Sequence, residues 1–367
     1  MKIIKVSSRS DLKDFIFLPF KLYRSDQKYI PPLLNEQKRR FSNKNPFYLH
    51  SKVNLYLVKK DGETVGRIAS IINRNHNDYH KDKTGFFGFF ESHNDLNIAS
   101  CLFEQVIKDL KSEGLNTVVG PMNFSTNEEC GFLLEGYEEP PMILMPYNFS
   151  YYHELLSSLG FEKAKDLYAF IYTLQERLPD KVYRVSSICE KKGVKVRYMN
   201  KKSFHRDLMD FKNIYNDAWA DNWGFVPITD EEINFTSKEL KPIANEELIA
   251  IAYADDLPVG FLGVIPDFNQ VLRHLNGRLN PITILKALYH KKRISQGRLL
   301  LFGIRKRFRN RGIDALLYRE VHKGLLKSGI KRIEFSWILE DNTDTINLAE
   351  LFGGVLYKKY RIYSKKI

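Results

Sequence analysis

One order of elements occurs twice along the chain, and that repeat limits the folds open to it. In the first half, residues 53–59 and 64–72 are strand-like runs joined by Asp61-Gly62, a dipeptide suited to a tight hairpin turn. Residues 84–91 (TGFFGFFE) read as a buried strand, and 98–111 as a helix with Cys101, Leu102, Val106 and Leu110 on its apolar side. Gly114 ends that helix, and 117–119 is the next strand. A helix after Asn148 runs to Leu159, then Gly160-Phe161 leads into a strand over 166–174. The second half repeats the order. Strands at 247–253 and 259–265 flank Asp255-Asp256, and a strand at 299–304, a helix at 313–327 and a strand at 332–339 follow. A helix opened by Asn342 ends at Gly353-Gly354, before a last strand at 355–363. A hairpin followed by β-α-β-α-β is not the strict alternation of a dinucleotide-binding sheet. A chain of 367 residues with 43% apolar content has material for two such units. The division falls near Arg177–Asp180.

The copies differ at the turn between the third strand and the helix after it. In the second copy, Gly297 to Leu326 reads GRLLLFGIRKRFRNRGIDALLYREVHKGLL. An apolar strand gives way to a basic turn with Arg305, Lys306, Arg307, Arg309 and Arg311, then Gly312 and an amphipathic helix from about Ile313. Backbone N–H groups point outward at a helix start, and the helix dipole adds about half a positive charge there. Such a place suits a diphosphate. In the first copy the same turn reads Glu91-Ser92-His93-Asn94-Asp95, with no glycine and two carboxylates. It should bind a diphosphate poorly.

Arg309-Asn310-Arg311-Gly312-Ile313-Asp314 resembles the Arg/Gln-x-x-Gly-x-Gly/Ala turn with which GNAT-superfamily acyltransferases grip the pyrophosphate of an acyl-coenzyme A (acyl-CoA). The elements after it resemble the second half of a GNAT domain, so the whole chain resembles a tandem GNAT protein of α/β class with a mixed sheet. The resemblance implies a degenerate GNAT-like domain over 1–178 that shapes the acceptor side. A second domain over 179–367, with an insertion at 266–297, would hold the donor. It implies acyl-CoA-dependent N-acyl transfer. Phe302, Gly303 and Ile304 would offer backbone donors, Arg305, Arg309, Arg311, Gly312 and Ile313 would surround the pyrophosphate, and Asn342 would open the next helix. Two positions depart from the pattern. Asp314 stands where a small residue is usual, and its carboxylate would repel a diphosphate. Ala349 falls where many members carry a tyrosine that protonates the leaving thiolate.

Acyl transfer needs a neutral amine, an acceptor for its proton and a donor to the developing oxyanion. Residues 120–148 form a link far longer than a strand-to-helix connection requires, and loops of this kind often carry function. Within it, Glu128 or Glu129 is the candidate base and Tyr147 a candidate donor. Glu91, at a strand end, is a further candidate base. Capping of a short surface helix is the plainer role for 127–129. Cys130, flanked by acids, should be a quiet thiol. His76 and His80 would share a helix face, but their asparagine-rich surroundings read as a loop without a third ligand, so no metal is expected. The aromatic segment 222–227 either lines an acceptor pocket or packs as a core corner.

The net charge is +13, and 17 Lys/Arg stand against two acids, Asp314 and Glu320, between Arg273 and Arg332. A basic face suits a coenzyme, a membrane surface or nucleic acid. Within the insertion, Ile282, Leu285, Leu288 and Tyr289 recur at helical spacing ahead of His290, Lys291, Lys292 and Arg293. Packing of that apolar face on its own sheet is the simpler expectation; peripheral contact with an anionic membrane is the other. The layout is similar to bacterial tandem-GNAT proteins that N-acylate lipid amines such as sphingoid bases. A Fem-like aminoacyl-tRNA-dependent transferase and a catalytically inactive binding protein are the alternatives, although no recognised RNA-reading motif is present. No apolar run nears the ~20 residues that span a bilayer. The N-terminus does not read as a secretion signal, and three widely spaced cysteines fit a reducing compartment. A cytoplasmic protein, at most peripheral to the inner membrane, is expected.

Overall fold

A computed structural model describes residues 1–367, apart from the side chain of Glu239. The first half runs β1 (Lys2–Lys5), α1 (Arg9–Leu22), α2 (Leu34–Arg40), β2 (Ser51–Lys60), β3 (Glu63–Asn73), α3 (Arg74–His80), β4 (Thr84–Ser92), α4 (Leu96–Ser112) and β5 (Thr117–Gly120). It continues through the short β6 (Met122–Asn123), β7 (Glu129–Cys130) and β8 (Phe132–Glu135) to α5 (Tyr152–Ser158) and β9 (Glu162–Thr173). The second half runs α6 (Asp180–Lys191), β10 (Lys195–Tyr198), α7 (Phe204–Ala218), α8 (Asp230–Leu240), β11 (Ile249–Ala254) and β12 (Leu257–Pro266). After it come α9 (Asn269–Leu272), α10 (Pro281–Lys291), β13 (Gln296–Ile304), α11 (Ile313–Lys327), β14 (Arg332–Leu339), α12 (Thr343–Leu351) and β15 (Val355–Lys366).

Thirteen strands form one mixed sheet, ordered β1-β2-β3-β4-β5-β15-β9-β14-β13-β12-β11-β10, with β8 against β15. Its middle exchanges partners between the halves. β9, which ends the first half, pairs with β14, while β15, which ends the second, pairs with β5. β9 and β15 then pair antiparallel with each other from Val355↔Ile171 to Ser364↔Glu162. Each half therefore completes the other's sheet through backbone hydrogen bonds, and neither end strand is left as an open edge.

The helices that follow the third strand of each repeat pack by the same rule. α4 buries Ile98, Leu102, Val106 and Leu110, and α11 buries Ile313, Leu317, Val321 and Leu325, spaced so that one face meets the sheet. Full burial of such side chains contributes roughly 1.5–3 kcal/mol each. Two expectations are corrected here. Residues 74–80 are a helix, not a loop, because the Asn73 side chain caps it by accepting from the His76 N–H (3.3 Å). The insertion does form a helix, α10, but no residue of it is buried, so its apolar face does not pack on the sheet. Among the described residues no helix is long and apolar enough to cross a membrane.

Candidate active site

β13 and β14 run parallel only from Gln296↔Arg332 to Leu299↔Phe335. Beyond that point β13 stays on β12 as far as Gly260↔Ile304, and β14 stays on β9 as far as Leu339↔Leu167. The two strands keep their outer partners and part from each other. A register shift opposite Gly263/Val264 leaves Leu300 without a partner on β12, a bulge that bends β13 at the start of the gap. Between 300 and 304 alternate residues thus turn backbone groups away from β12 towards the wedge, Phe302 and Ile304 among them, while those of Gly303 face β12. Trp219 lies against Gly303 so closely that a Cβ there would come within 2.3 Å of its ring.

The first half has the same wedge and fills it with its own chain. β4 and β5 pair only from Thr84↔Thr117 to Phe86↔Val119. Past that point the Phe89 N–H donates to Asn123 Oδ1 (2.7 Å), and a Cβ on Gly88 would lie 1.8 Å from Met122 O. At the adjoining helix start, the Asp95 carboxylate accepts from the Asn97 N–H (2.9 Å) and occupies the anion position.

In the second half that position is open. Gly312 is the N-cap of α11 with φ +82°, and no side chain caps the helix. The first-turn N–H groups of α11 are therefore left for an anion. The left-handed φ and a Val185 Cγ1 only 2.7 Å from a hypothetical Cβ require glycine. Phe308 lies under both Arg307 and Arg311, whose guanidinium carbons are 5.0 and 5.2 Å from its ring centre, so these cations are held beside the turn. Arg309 instead braces the turn, donating to Ala218 O (2.7 Å). Arg305 Nε is buried without a partner among the described residues. Asn342 caps α12 by accepting from the Thr345 N–H (3.2 Å). Asp314 lines the same space.

A cavity of about 1230 Å³ runs through the wedge and joins the two halves. One end meets Arg309, Asn310, Asp314 and Asn342; another, under α7 and α8, is lined by Phe211, Phe261, Ile233 and Leu240. Across the middle, from the first half, come Ser125, Glu128, Glu129 and Cys130. This stretch is tightly held. Thr126 Oγ1 donates to Gly224 O (2.6 Å), Asn127 Nδ2 to Val226 O (3.1 Å), and Tyr215 Oη to Asn127 Oδ1 (2.6 Å). Segment 222–227 therefore both lines the cavity, through Asn222, Trp223 and Phe225, and anchors the loop. Arg40 pairs with Glu128 (3.1 Å) and Glu129 (3.4 Å) and donates to Asn123 O (2.8 Å). Partial withdrawal from bulk water, its side chain staying 32% exposed, pushes Glu128 up to about 7 against the opposing pull of Arg40. A carboxylate poised there exchanges protons readily near neutral pH. Burial likewise pushes the Cys130 thiol up to about 12, which leaves it protonated and inert.

Two further side chains of this cavity, Trp337 and Tyr318, carry polar atoms that do not open into it. Trp337 Nε1 and Tyr318 Oη are themselves buried, and the Tyr318 hydroxyl lies beside that of Tyr172. The Tyr318 ring packs at a tilt on Phe352, 4.5 Å between centres, one turn after Ala349.

Glu91 and Tyr147 lie elsewhere. Glu91 is buried, accepting from Tyr23 Oη and Tyr152 Oη (2.8 Å each) and pairing with Arg67 at 3.5 Å. Burial raises its pKa, with Arg67 opposing. A carboxylate so occupied does not reach the cavity and is a structural group. Tyr147 donates to Asp26 (2.7 Å) away from the wedge. His76 and His80 stack at 4.3 Å on α3, burial holding His76 down to about 4, and no group of three or more candidate ligands surrounds them among the described residues.

No protein-family model matches the chain. Protein YghO of Escherichia coli is 32% identical over 366 residues, covering 98% of this chain and 94% of that one. The bacterial ceramide synthase of Caulobacter vibrioides is 31% identical over 375 residues, covering 100% and 98%. Among solved structures, a tandem GNAT protein from the clavulanic acid biosynthesis pathway matches 100% of this chain and 98% of its own, with TM-score 0.58 at 10% identity, a likeness of fold. The chain is thus a tandem GNAT-fold acyltransferase, and it belongs to the family of YghO and the bacterial ceramide synthase.

Proposed function

We propose that the protein transfers a long acyl chain from coenzyme A to the amine of a lipid such as a sphingoid base. The observation that carries this reading is the single cavity that joins an uncapped, cation-flanked helix start to an apolar recess and to a carboxylate titrating near neutrality. The relative that is by name a ceramide synthase supports the acceptor class, since a ceramide is an N-acylated sphingoid base. In this reading residues 179–367 hold the donor and 1–178 supply the acceptor side, including the base. The N–H groups at the start of α11, with Arg307 and Arg311, take the diphosphate, and the wedge-facing backbone groups between 300 and 304 take the pantetheine. The acyl chain lies in the apolar recess beneath α7 and α8. Glu128 accepts the proton lost from nitrogen as the C–N bond forms and the C–S bond breaks. The thiolate leaves with coenzyme A and takes its proton from solvent.

A thiol-release assay with palmitoyl-CoA tests the reading. Sphinganine should stimulate release and appear as its N-palmitoyl product, whereas equal stimulation by glucosamine or free lysine, with no lipid product, would overturn it. Asp314→Asn should tighten coenzyme binding. Removing one like charge ~4 Å away in a water-like medium is worth about 1 kcal/mol, roughly fivefold in Kd by calorimetry. An unchanged Kd would place the Asp314 carboxylate away from the diphosphate.

A further inference from the structure

The α10 helix is turned inside out. A surface helix ordinarily buries its large apolar side chains and shows its small and polar ones to water. In α10 the half-buried positions are Thr283, Ala287 and His290, one helical stripe of small and polar residues. His290 fixes that stripe by stacking on His274 of the preceding segment at 3.7 Å. The opposite stripe projects into solvent, with Ile282 and Leu285 each 69% exposed, Leu288 57% and Tyr289 54%. The mount itself is firm. Gly277 O, just before the helix, accepts from the Leu34 N–H of the first half (2.9 Å).

The charge carried by the segment around this helix is of one sign, although Glu139 of the first half lines a pocket with Arg273. No Asp or Glu occurs between Asp267 and Asp314, and Arg273, Arg278, Lys286, Lys291, Lys292 and Arg293 flank the helix. None of the six forms an ion pair among the described residues. Arg293 lies 3.8 Å from the centre of the Tyr289 ring, an aromatic–cation pair of the kind that settles at a water–lipid boundary. From the outward apolar stripe and the six cations of its own segment that no acid pairs, we infer that α10 is a docking helix for an anionic phospholipid bilayer. Its apolar stripe enters the acyl boundary and its cations meet the headgroups. A second copy of the chain does not suit the same face, because pairing two such helices would set six cations against six. The docking needs no turnover and stands apart from the choice of acyl donor or acceptor.

Cosedimentation of the full chain with vesicles tests this directly. Vesicles of phosphatidylcholine containing phosphatidylglycerol should pull the protein down, and vesicles of phosphatidylcholine alone should do so far less. Each cation near an anionic surface is worth roughly fivefold in partitioning, so added salt should release much of the bound protein. The double substitution Leu285→Asp with Leu288→Asp changes only exposed side chains, and an unshifted melting temperature would verify its fold. It should cut partitioning by at least about tenfold. Equal pelleting of the variant, or no pelleting of the parent with anionic vesicles, would overturn the inference. So would a parent dimer that fails to bind vesicles and that the double substitution converts to monomer.

Discussion

Glu128→Gln is expected to lower kcat by about 10²–10⁴-fold, the usual range for a lost general base. Coenzyme binding and the thermal midpoint should stay where they are. The amide keeps the side chain's shape and can still face Arg40, whose two carboxylate contacts, Glu128 at 3.1 Å and Glu129 at 3.4 Å, set the position of the loop. The pH profile gives a sharper signature. The base works only without its proton, and partial burial raises Glu128 to about 7. The rate of the parent should therefore climb as pH rises through about 7, and the variant should lack that limb. A Glu128→Gln enzyme that keeps most of its rate and the same acidic limb would move the base elsewhere, Glu129 being the next carboxylate on the cavity.

Glu91→Ala should have the opposite character, a large loss of stability. The substitution strands Arg67 in the core, where its guanidinium donates to Phe15 O (2.7 Å), lies 4.9 Å from the Phe15 ring centre and faces Glu91 at 3.5 Å. Breaking one side of a buried pair costs about 3–5 kcal/mol, because the surviving charge has no partner and no water. Tyr23 and Tyr152 would each lose an acceptor as well. Urea unfolding should report the loss, and Glu91→Leu combined with Arg67→Met should recover much of it. Were Glu91 the base, Glu91→Ala would abolish turnover with the unfolding midpoint unmoved.

What was legible in the sequence was local. Strand, basic turn, Gly312 and helix follow from residues within one turn of each other, and α11 runs over Ile313–Lys327 as its periodicity predicts. The poor turn of the first copy was legible too, because Asp95 is a helix cap by residue type alone. Pairings across long separations were not. The exchange of β9 and β15 depends on which sheet edge each strand meets, and an alternation of side chains does not encode that. Arg40 meets Glu128 and Glu129 only after α2 has folded over the long loop, so the raised proton affinity of Glu128 had no local sign. The burial of Glu91 does have a sign in the sequence. Every residue of β4 is buried, and TGFFGFFE has no polar face, which marks a central strand whose terminal glutamate is enclosed with the rest. α10 shows the converse, since amphipathic spacing identifies a helix but leaves open which face the protein covers.

If the second-half turn holds the diphosphate of an acyl-CoA, calorimetric titration of palmitoyl-CoA should show it. The full chain should be compared with an Arg307→Glu, Arg311→Glu double variant. Both residues are exposed and stack on Phe308, so the variant should melt with the parent. Parent binding that weakens by roughly a hundredfold in the variant, about 2.7 kcal/mol, is the predicted result. Equal affinity in parent and variant, or no heat of binding in the parent, would contradict it.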